Sequence, residues 1–291
     1  MPDDDRSFAA PPATTDAQYW PAAERLLSLP PEWRIRRDGT FAWLDPTPSF
    51  EWYREFYNSK YHDDPTHAQL LRNPRIRQRK RVYFRRRIER IVATLGHDPA
   101  GILDVGAGDG AFLAAAREAG FPVTGVELCA RAAEAASAET GAPVLVGDIV
   151  HDDLNVPAPV DVVVMHHVFE HLLQPHDYLR AIRSLLQPDG LFVFEIPQQF
   201  INPIDLAYRV LGRRRPFDAY SLHHPYFYTV DSIKRLLDIA GYRIVSLRTW
   251  LPGQVFHIDS RIVGAALQGA LWAADALAKK GHVIEVMARP E

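Results

Sequence analysis

Along the chain, the spacing of apolar residues changes character near residue 100. From there onward, short apolar runs bounded by glycine or proline alternate with segments of helical period. The runs "GILDVG" (101–106), "PVTGVEL" (122–128), "PVLVGD" (143–148), "VDVVVMH" (160–166), "LFVFEIP" (191–197), "YRIVSLRTW" (242–250) and "HVIEVMA" (282–288) read as seven strands. Between them, "AFLAAAREAG" (111–120) and "ARAAEAASAETG" (130–141) read as helices stopped by Gly120 and Gly141. "HDYLRAIRSLLQPDG" (176–190) predicts a helix closed by a Pro-Asp-Gly turn, and "VDSIKRLLDIAG" (230–241) a further helix. The fourth run is apolar almost throughout, as a strand covered on both faces must be. Strands alternating with helices at this pitch predict an α/β fold: a doubly wound, mostly parallel sheet of seven strands.

The remaining segments do not follow that rhythm. Residues 1–14 are acidic and proline-rich, and read as a flexible tail. Residues 15–67 are rich in Trp, Tyr, Phe and Pro without a clean period, and read as a cap on the sheet domain. Together with a basic helix they make an N-terminal part over 15–97, followed by the sheet domain over 98–291. Residues 198–228 form an insertion of a length often used for lids or binding loops.

Composition narrows the class. The chain of 291 residues is 47% hydrophobic and 24% charged, which predicts a packed core. A net charge of −3 gives no global pull toward nucleic acid or anionic lipid. Cys129 is the single cysteine, so neither a disulfide framework nor a thiolate zinc site is available. The first residues lack the basic and apolar regions of a secretory signal, so a cytoplasmic location is expected. "IVGAALQGALWAADALA" (262–278) is interrupted by Gln268 and Asp275, and is read as a buried or partner-facing helix rather than a membrane span.

In a doubly wound sheet the ligand lies at the carboxyl ends of the strands, where strand order reverses. "LDVGAGDG" puts Gly106, Gly108 and Gly110 in a turn between a strand and a helix, which lets backbone approach a ligand. The spacing G-x-G-x-G departs from the dinucleotide fingerprint. Asp104 and Asp109 would repel a pyrophosphate, and suit an ammonium or a sulfonium. Glu127 ends the second strand, where a carboxylate accepts hydrogen bonds from two ribose hydroxyls. Asp148 follows the third strand and is placed for an adenine amine, with Ile149 on the ring face; capping of its own turn is the alternative. An adenine, a ribose and a cationic amino-acid tail together describe S-adenosylmethionine.

These stretches resemble the motifs of class I S-adenosylmethionine-dependent methyltransferases. "ILDVGAGDGAFLAAAREAGFPVTGVEL" is similar to the family's first two motifs, "VLVGDI" to the third, and "VDVVVMHHVFEHLLQPHDYLRAIRSLLQPDGLFVFEIP" to the fourth to sixth. The resemblance implies that Asp104, Gly106, Ala107 and Gly108 hold the methionine end. Glu127 and Leu128 would hold the ribose, Asp148 and Ile149 the adenine. His166 or His167 would touch the methionine tail.

"DPTPSFEWYREFYNSKYHDD" and "HPYFYTVDSIKRLLDIAGY" further resemble bacterial members acting on sugars, glycans and secondary metabolites. That implies an acceptor pocket using Tyr57, Tyr61, Glu170 and Tyr226. The acceptor would be a small molecule or glycan, methylated on oxygen, with C-methylation of a nucleotide-linked sugar as the nearest variant. RNA methylation and a non-catalytic, methyltransferase-like binding protein stand further off. The zinc ribbon of many such relatives is absent.

Two chemical features remain. "MHHVFEH" (165–171) gathers His166, His167, Glu170 and His171 at the end of the fourth strand. Pocket wall, proton acceptor and metal ligand are all open to them; no metal is assigned. His171, with His224 in the insertion, is the candidate base or acceptor-orienting group, since imidazole works near neutral pH. Residues 72–90 contain ten Lys or Arg among nineteen, and Arg213, Arg214 and Arg215 add to them. A solvated helix face and a patch for an anionic acceptor both account for this run. Nucleic acid is a disfavoured partner, because no stacking aromatics interleave the run. A homodimer is compatible with the sequence.

Overall fold

The structure is a computed structural model that describes residues 18–19, 34–39, 41–58, 74–198, 224–250, 273 and 281–291. The chain first forms strands β1 (Gln18–Tyr19), β2 (Arg34–Asp38) and β3 (Phe41–Asp45), then helix α1 (Phe50–Phe56). Ser49 caps α1 by accepting from the Trp52 amide at 3.2 Å. A long helix, α2 (Pro74–Leu95), carries the basic run and continues past it until Gly96, whose φ of 91° ends the helix.

Then come β4 (Ile102–Val105), α3 (Ala111–Glu118), β5 (Val123–Glu127), α4 (Ala130–Thr140), β6 (Val144–Val146) and β7 (Val160–His166). A 3-10 turn at Phe169–His171 leads into α5 (Pro175–Leu185) and β8 (Leu186–Pro197). After the insertion follow β9 (Tyr226–Phe227), α6 (Val230–Ile239), β10 (Tyr242–Trp250) and β11 (Val283–Pro290). Thr229 and Ser232 close the start of α6 with a reciprocal capping box.

The seven expected strands make one sheet, in the order β10-β11-β8-β7-β4-β5-β6. All neighbours are parallel except β11, which is antiparallel to both β8 and β10. Strand order reverses at β4, which lies between β5 and β7. The chain therefore opens its crevice at the glycine turn. Val162 and Val164 pack into the core on one face of the sheet, and Val163 and Met165 into the core on the other. All four are fully buried, which is why this run carries no polar alternation.

Two features differ from the sequence reading. No separate Pro-Asp-Gly turn closes α5: the helix stops at Leu185, and residues 186–190 enter β8 as an irregular lead. There Leu186 pairs with Val160 and Leu191 with Val162, so the buried Leu186 side chain draws the chain into the sheet early. The aromatic cap contains a second, four-stranded antiparallel sheet, β1-β2-β3-β9, within which Ala42 and Trp43 pair with Phe227 and Tyr226. Cap and insertion are thus joined by backbone hydrogen bonds.

Candidate active site

Strand β4 delivers the chain into Gly106-Ala107-Gly108-Asp109-Gly110. The Val126 carbonyl accepts from the amides of Gly106 (2.7 Å) and Ala107 (3.1 Å), so the turn folds back over the end of β5. Gly106 has φ of 76°, and a Cβ there would lie 2.3 Å from Val168 Cγ2. Only glycine fits between β4 and the segment after β7.

Glu127 stands at the carboxyl end of β5. Its Oε2 accepts from the Gly108 amide at 2.9 Å and its Oε1 from the Cys129 amide at 3.0 Å. Burial raises its pKa from the ordinary value, against the pull of these two amides. Asp104 is buried on β4 beside it. Asp109, read from the sequence as a further carboxylate of the turn, is neutralised by Lys80 of α2 at 2.5 Å. Buried carboxylates around a glycine cradle suit hydroxyl and cationic groups, so the residues present fit S-adenosylmethionine.

Asp148 is heavily engaged. Its Oδ1 accepts from the Val150 and His151 amides at 2.8 and 3.0 Å, and its Oδ2 from the Tyr178 hydroxyl at 2.5 Å. The turn-capping role left open by the sequence is therefore present. Ile149 packs against the core beside it. Helix α1 lies over this turn: Phe50 stacks on His151 at 3.7 Å, and Arg54 pairs with Asp152 at 2.7 Å. At its other end, Tyr57 meets the His171 ring edge-on at 5.9 Å. The helix thus spans the cleft from the Asp148 turn to the histidines.

The four polar residues of "MHHVFEH" take different positions. His166 ends β7 with its ring buried between Phe84 and Phe112, each 4.8 Å away, and 3.7 Å from Asp104. Burial and the charge of Arg87 lower its pKa and keep it neutral. His167 adopts φ of 56° and leaves nearly half its side chain open. Its Nδ1 lies 3.2 Å from Glu170 and its Nε2 3.6 Å from Glu195. Crowding around the ring opposes the charge, but Glu170 and Glu195 outweigh it and lift the pKa to about 9.

Glu170 is buried, and its Oε2 has no hydrogen-bond partner. His171 and His224 approach each other to 4.6 Å between ring centroids. Ligand atoms of Glu170, His171 and His224 lie within 4.8 Å of one another, a spacing able to hold one metal ion. The sequence had gathered His166, His167, Glu170 and His171. The structure sets His167 between Glu170 and Glu195, and brings His224 beside His171. Tyr226 is buried behind the group with its hydroxyl donating to the Leu173 carbonyl at 3.0 Å. Tyr61 and Arg213 to Arg215 lie outside the described residues.

A charged network missed by the sequence reading supports this wall. Arg87 of α2 is fully buried and bonds Glu195 at 2.5 Å, with Glu285 of β11 at 3.3 Å. The Tyr83 hydroxyl donates to Glu195 as well. Burial alone would raise the Glu195 pKa; Arg87 and His167 reverse this and hold it at about 2. The signal was a lone glutamate in the apolar run "LFVFEIP", since a charge buried there requires a partner. Arg54 and Phe50, which tie α1 to the Asp148 turn, carried no such signal.

A family profile described as "Methyltransferase domain" matches residues 75–247, more than half of the chain. The chain belongs to this methyltransferase-domain family. The plantazolicin methyltransferase BpumL, in complex with SAH, shares its fold at a TM-score of 0.53 and 15% identity, covering 82% of this chain and 96% of that chain. A ubiquinone biosynthesis O-methyltransferase of Chromobacterium violaceum is 31% identical over 98 residues, 32% of this chain and 42% of that protein. The C-methyltransferase NovU of Streptomyces niveus is 26% identical over 152 residues, 51% of this chain and 34% of its own. The matched segments thus span less than half the length of these relatives. Among solved structures, the plantazolicin methyltransferase BamL, in complex with a triazolic desmethylPZN analog and SAH, shares the fold. It has a TM-score of 0.56 and 13% identity, covering 82% of this methyltransferase and 94% of that chain. Among the described residues no helix is long and apolar enough to cross a membrane.

Proposed function

We propose that the protein transfers a methyl group from S-adenosylmethionine to a small-molecule or glycan acceptor, by O-methylation of a sugar, glycan or secondary metabolite. The observation that carries the reading is the His171–His224 pair, backed by buried Glu170, at the edge of the cleft that holds the glycine cradle. In this reading Asp104, Gly106, Ala107 and Gly108 receive the methionine end. Glu127 and Leu128 take the ribose, with Ile149 and the Asp148 turn at the adenine. His167 faces the methionine tail with a charged ring, while buried His166 supports Asp104 from behind.

When bound, S-adenosylmethionine supplies an electrophilic sulfonium methyl. A hydroxyl acceptor loses its proton as it is methylated, and an imidazole nitrogen of His171 or His224 is placed to take it. Buried Glu170 lies close to that pair. Tyr57 closes the acceptor side. Relatives named as O- and C-methyltransferases do not by themselves select the acceptor atom, and a base serves a hydroxyl and an activated carbon alike, so the labelled product decides between them.

The test is transfer of an isotopically labelled methyl to cell-derived sugars and metabolites, with NMR locating the label. Label on oxygen is expected, with His171→Ala or His224→Ala reducing kcat by about 10²-fold or more while S-adenosylhomocysteine affinity stays unchanged. Label on carbon, or unchanged kcat in both variants, contradicts the reading. A second reading, a divalent ion held by Glu170, His171 and His224, is favoured by their mutual spacing. Metal content of the purified protein and the effect of a chelator on kcat separate the two.

A further inference from the structure

The basic run on α2 divides into three faces. Arg87, Ile88 and Ile91 are buried against the sheet. Toward α3 and α4, basic residues are matched one for one: Arg77 with Glu139, Lys80 with Asp109, Arg81 with Glu118. The third face repeats at helical spacing through Arg79, Tyr83, Arg86 and Arg90. It borders a groove of about 480 Å³ whose far wall is Arg248 and Trp250 of β10.

In this groove Arg90 and Arg248 are anchored on Glu285 at 2.7 and 2.6 Å. Arg79 and Arg86 are exposed and, among the described residues, have no acidic partner. Trp250 adds a flat apolar surface, 5.6 Å from the Tyr83 ring, and its buried Nε1 donor has no hydrogen-bond partner. Guanidinium groups without an acidic partner beside a planar surface are the chemistry that recognises a phosphate attached to a ring.

The groove also has the right address. Trp250 pairs with Val283, and Val283 with Pro197 at the carboxyl end of β8, so Trp250 lies on the crevice edge of the sheet. Tyr83 lines the groove and bonds Glu195, which faces His167 in the cleft. Through Tyr83 and Glu195 the groove is linked to the His167 side of the cleft.

We propose that this groove binds a phosphate- or diphosphate-bearing part of a soluble acceptor, through Arg79, Arg86 and Trp250. The proposal rests on the small-molecule reading above and narrows it to phosphorylated acceptors. The same chemistry exists on anionic lipid headgroups, so the test separates the two sources.

Calorimetric titration of the full chain uses inorganic pyrophosphate and uridine diphosphate as probes, and sedimentation uses vesicles of phosphatidylglycerol against phosphatidylcholine. Both soluble probes bind, the nucleotide more tightly because its ring meets Trp250. The double variant Arg79→Ala/Arg86→Ala weakens both by about tenfold or more, the loss expected for charge-assisted hydrogen bonds. Trp250→Leu narrows the gap between the two probes, and Arg77→Ala, on the matched face, changes nothing. S-adenosylhomocysteine affinity, measured in parallel, stays at the parent value and reports an intact fold. Failure of either probe to bind the parent protein, equal affinity in the double variant, or binding only to phosphatidylglycerol vesicles overturns the proposal. If S-adenosylhomocysteine binds in those cases, the methyl-transfer reading survives; if it does not, that reading fails separately.

Discussion

At the scale of single residues, His167 is the position whose state most affects the cleft. Its ring lies between Glu170 and Glu195, with Arg87 and Tyr83 behind Glu195. The folded pKa of about 9 lies above the ordinary value of 6.5. The group therefore contributes stability that is fully present below pH 6.5 and is lost as pH rises through about 9. NMR titration of the His167 ring is expected to show a midpoint near pH 9, falling toward 6.5 in Glu170→Gln; a parent midpoint near 6.5 contradicts this arrangement. Gly106 gives a second expectation. A Cβ there meets Val168 at 2.3 Å and sits on a φ of 76°. Gly106→Ala is expected to cost about 1–3 kcal/mol in urea unfolding, and to weaken S-adenosylhomocysteine binding by displacing the turn. Unchanged values in both measurements would show that the turn has more room than its contacts indicate.

At the scale of elements, α2 is held to the sheet by a few buried groups and not by its many surface charges. Removing Arg87 leaves buried Glu195 without its guanidinium partner, while Glu285 keeps Arg90 and Arg248, so Arg87→Met is expected to lose about 3–5 kcal/mol of stability. Arg77 and Glu139 are both mostly exposed, and Arg77→Ala is expected to lose less than about 1 kcal/mol. Comparable losses in urea unfolding would mean that the buried network does not hold the helix. This contrast also marks how far the sequence could be read. Ten basic residues in nineteen announce a charged helix, but composition does not reveal which one is turned inward. Most strands of the central sheet were legible because they are apolar runs bounded by glycine or proline, as "GILDVG" and "LFVFEIP" are. The small sheet was not: "RIRRD" has one buried residue among polar ones, and its sheet is completed by Tyr226 and Phe227, far away in sequence. Long-range pairing of short edge strands leaves little local pattern.

At the scale of the whole molecule, the order of strands brings the glycine turn, Glu127, Asp148 and the histidines to one edge of one sheet. The turn and Glu127 were readable because a doubly wound sheet puts its ligand there. The acceptor side was less readable, because it is assembled from α1, the 3-10 turn and His224, whose approach depends on tertiary packing. That assembly brought His224 beside His171 and Glu170, and left His167 between Glu170 and Glu195. Every step of the account depends on the cleft taking S-adenosylmethionine. The most direct test is calorimetric titration of the full chain with S-adenosylhomocysteine. Saturable one-site binding to the parent protein is predicted, weakened at least about tenfold in Glu127→Ala through loss of the ribose hydrogen bonds. Absence of binding to the parent protein, or equal affinity in Glu127→Ala, would contradict it.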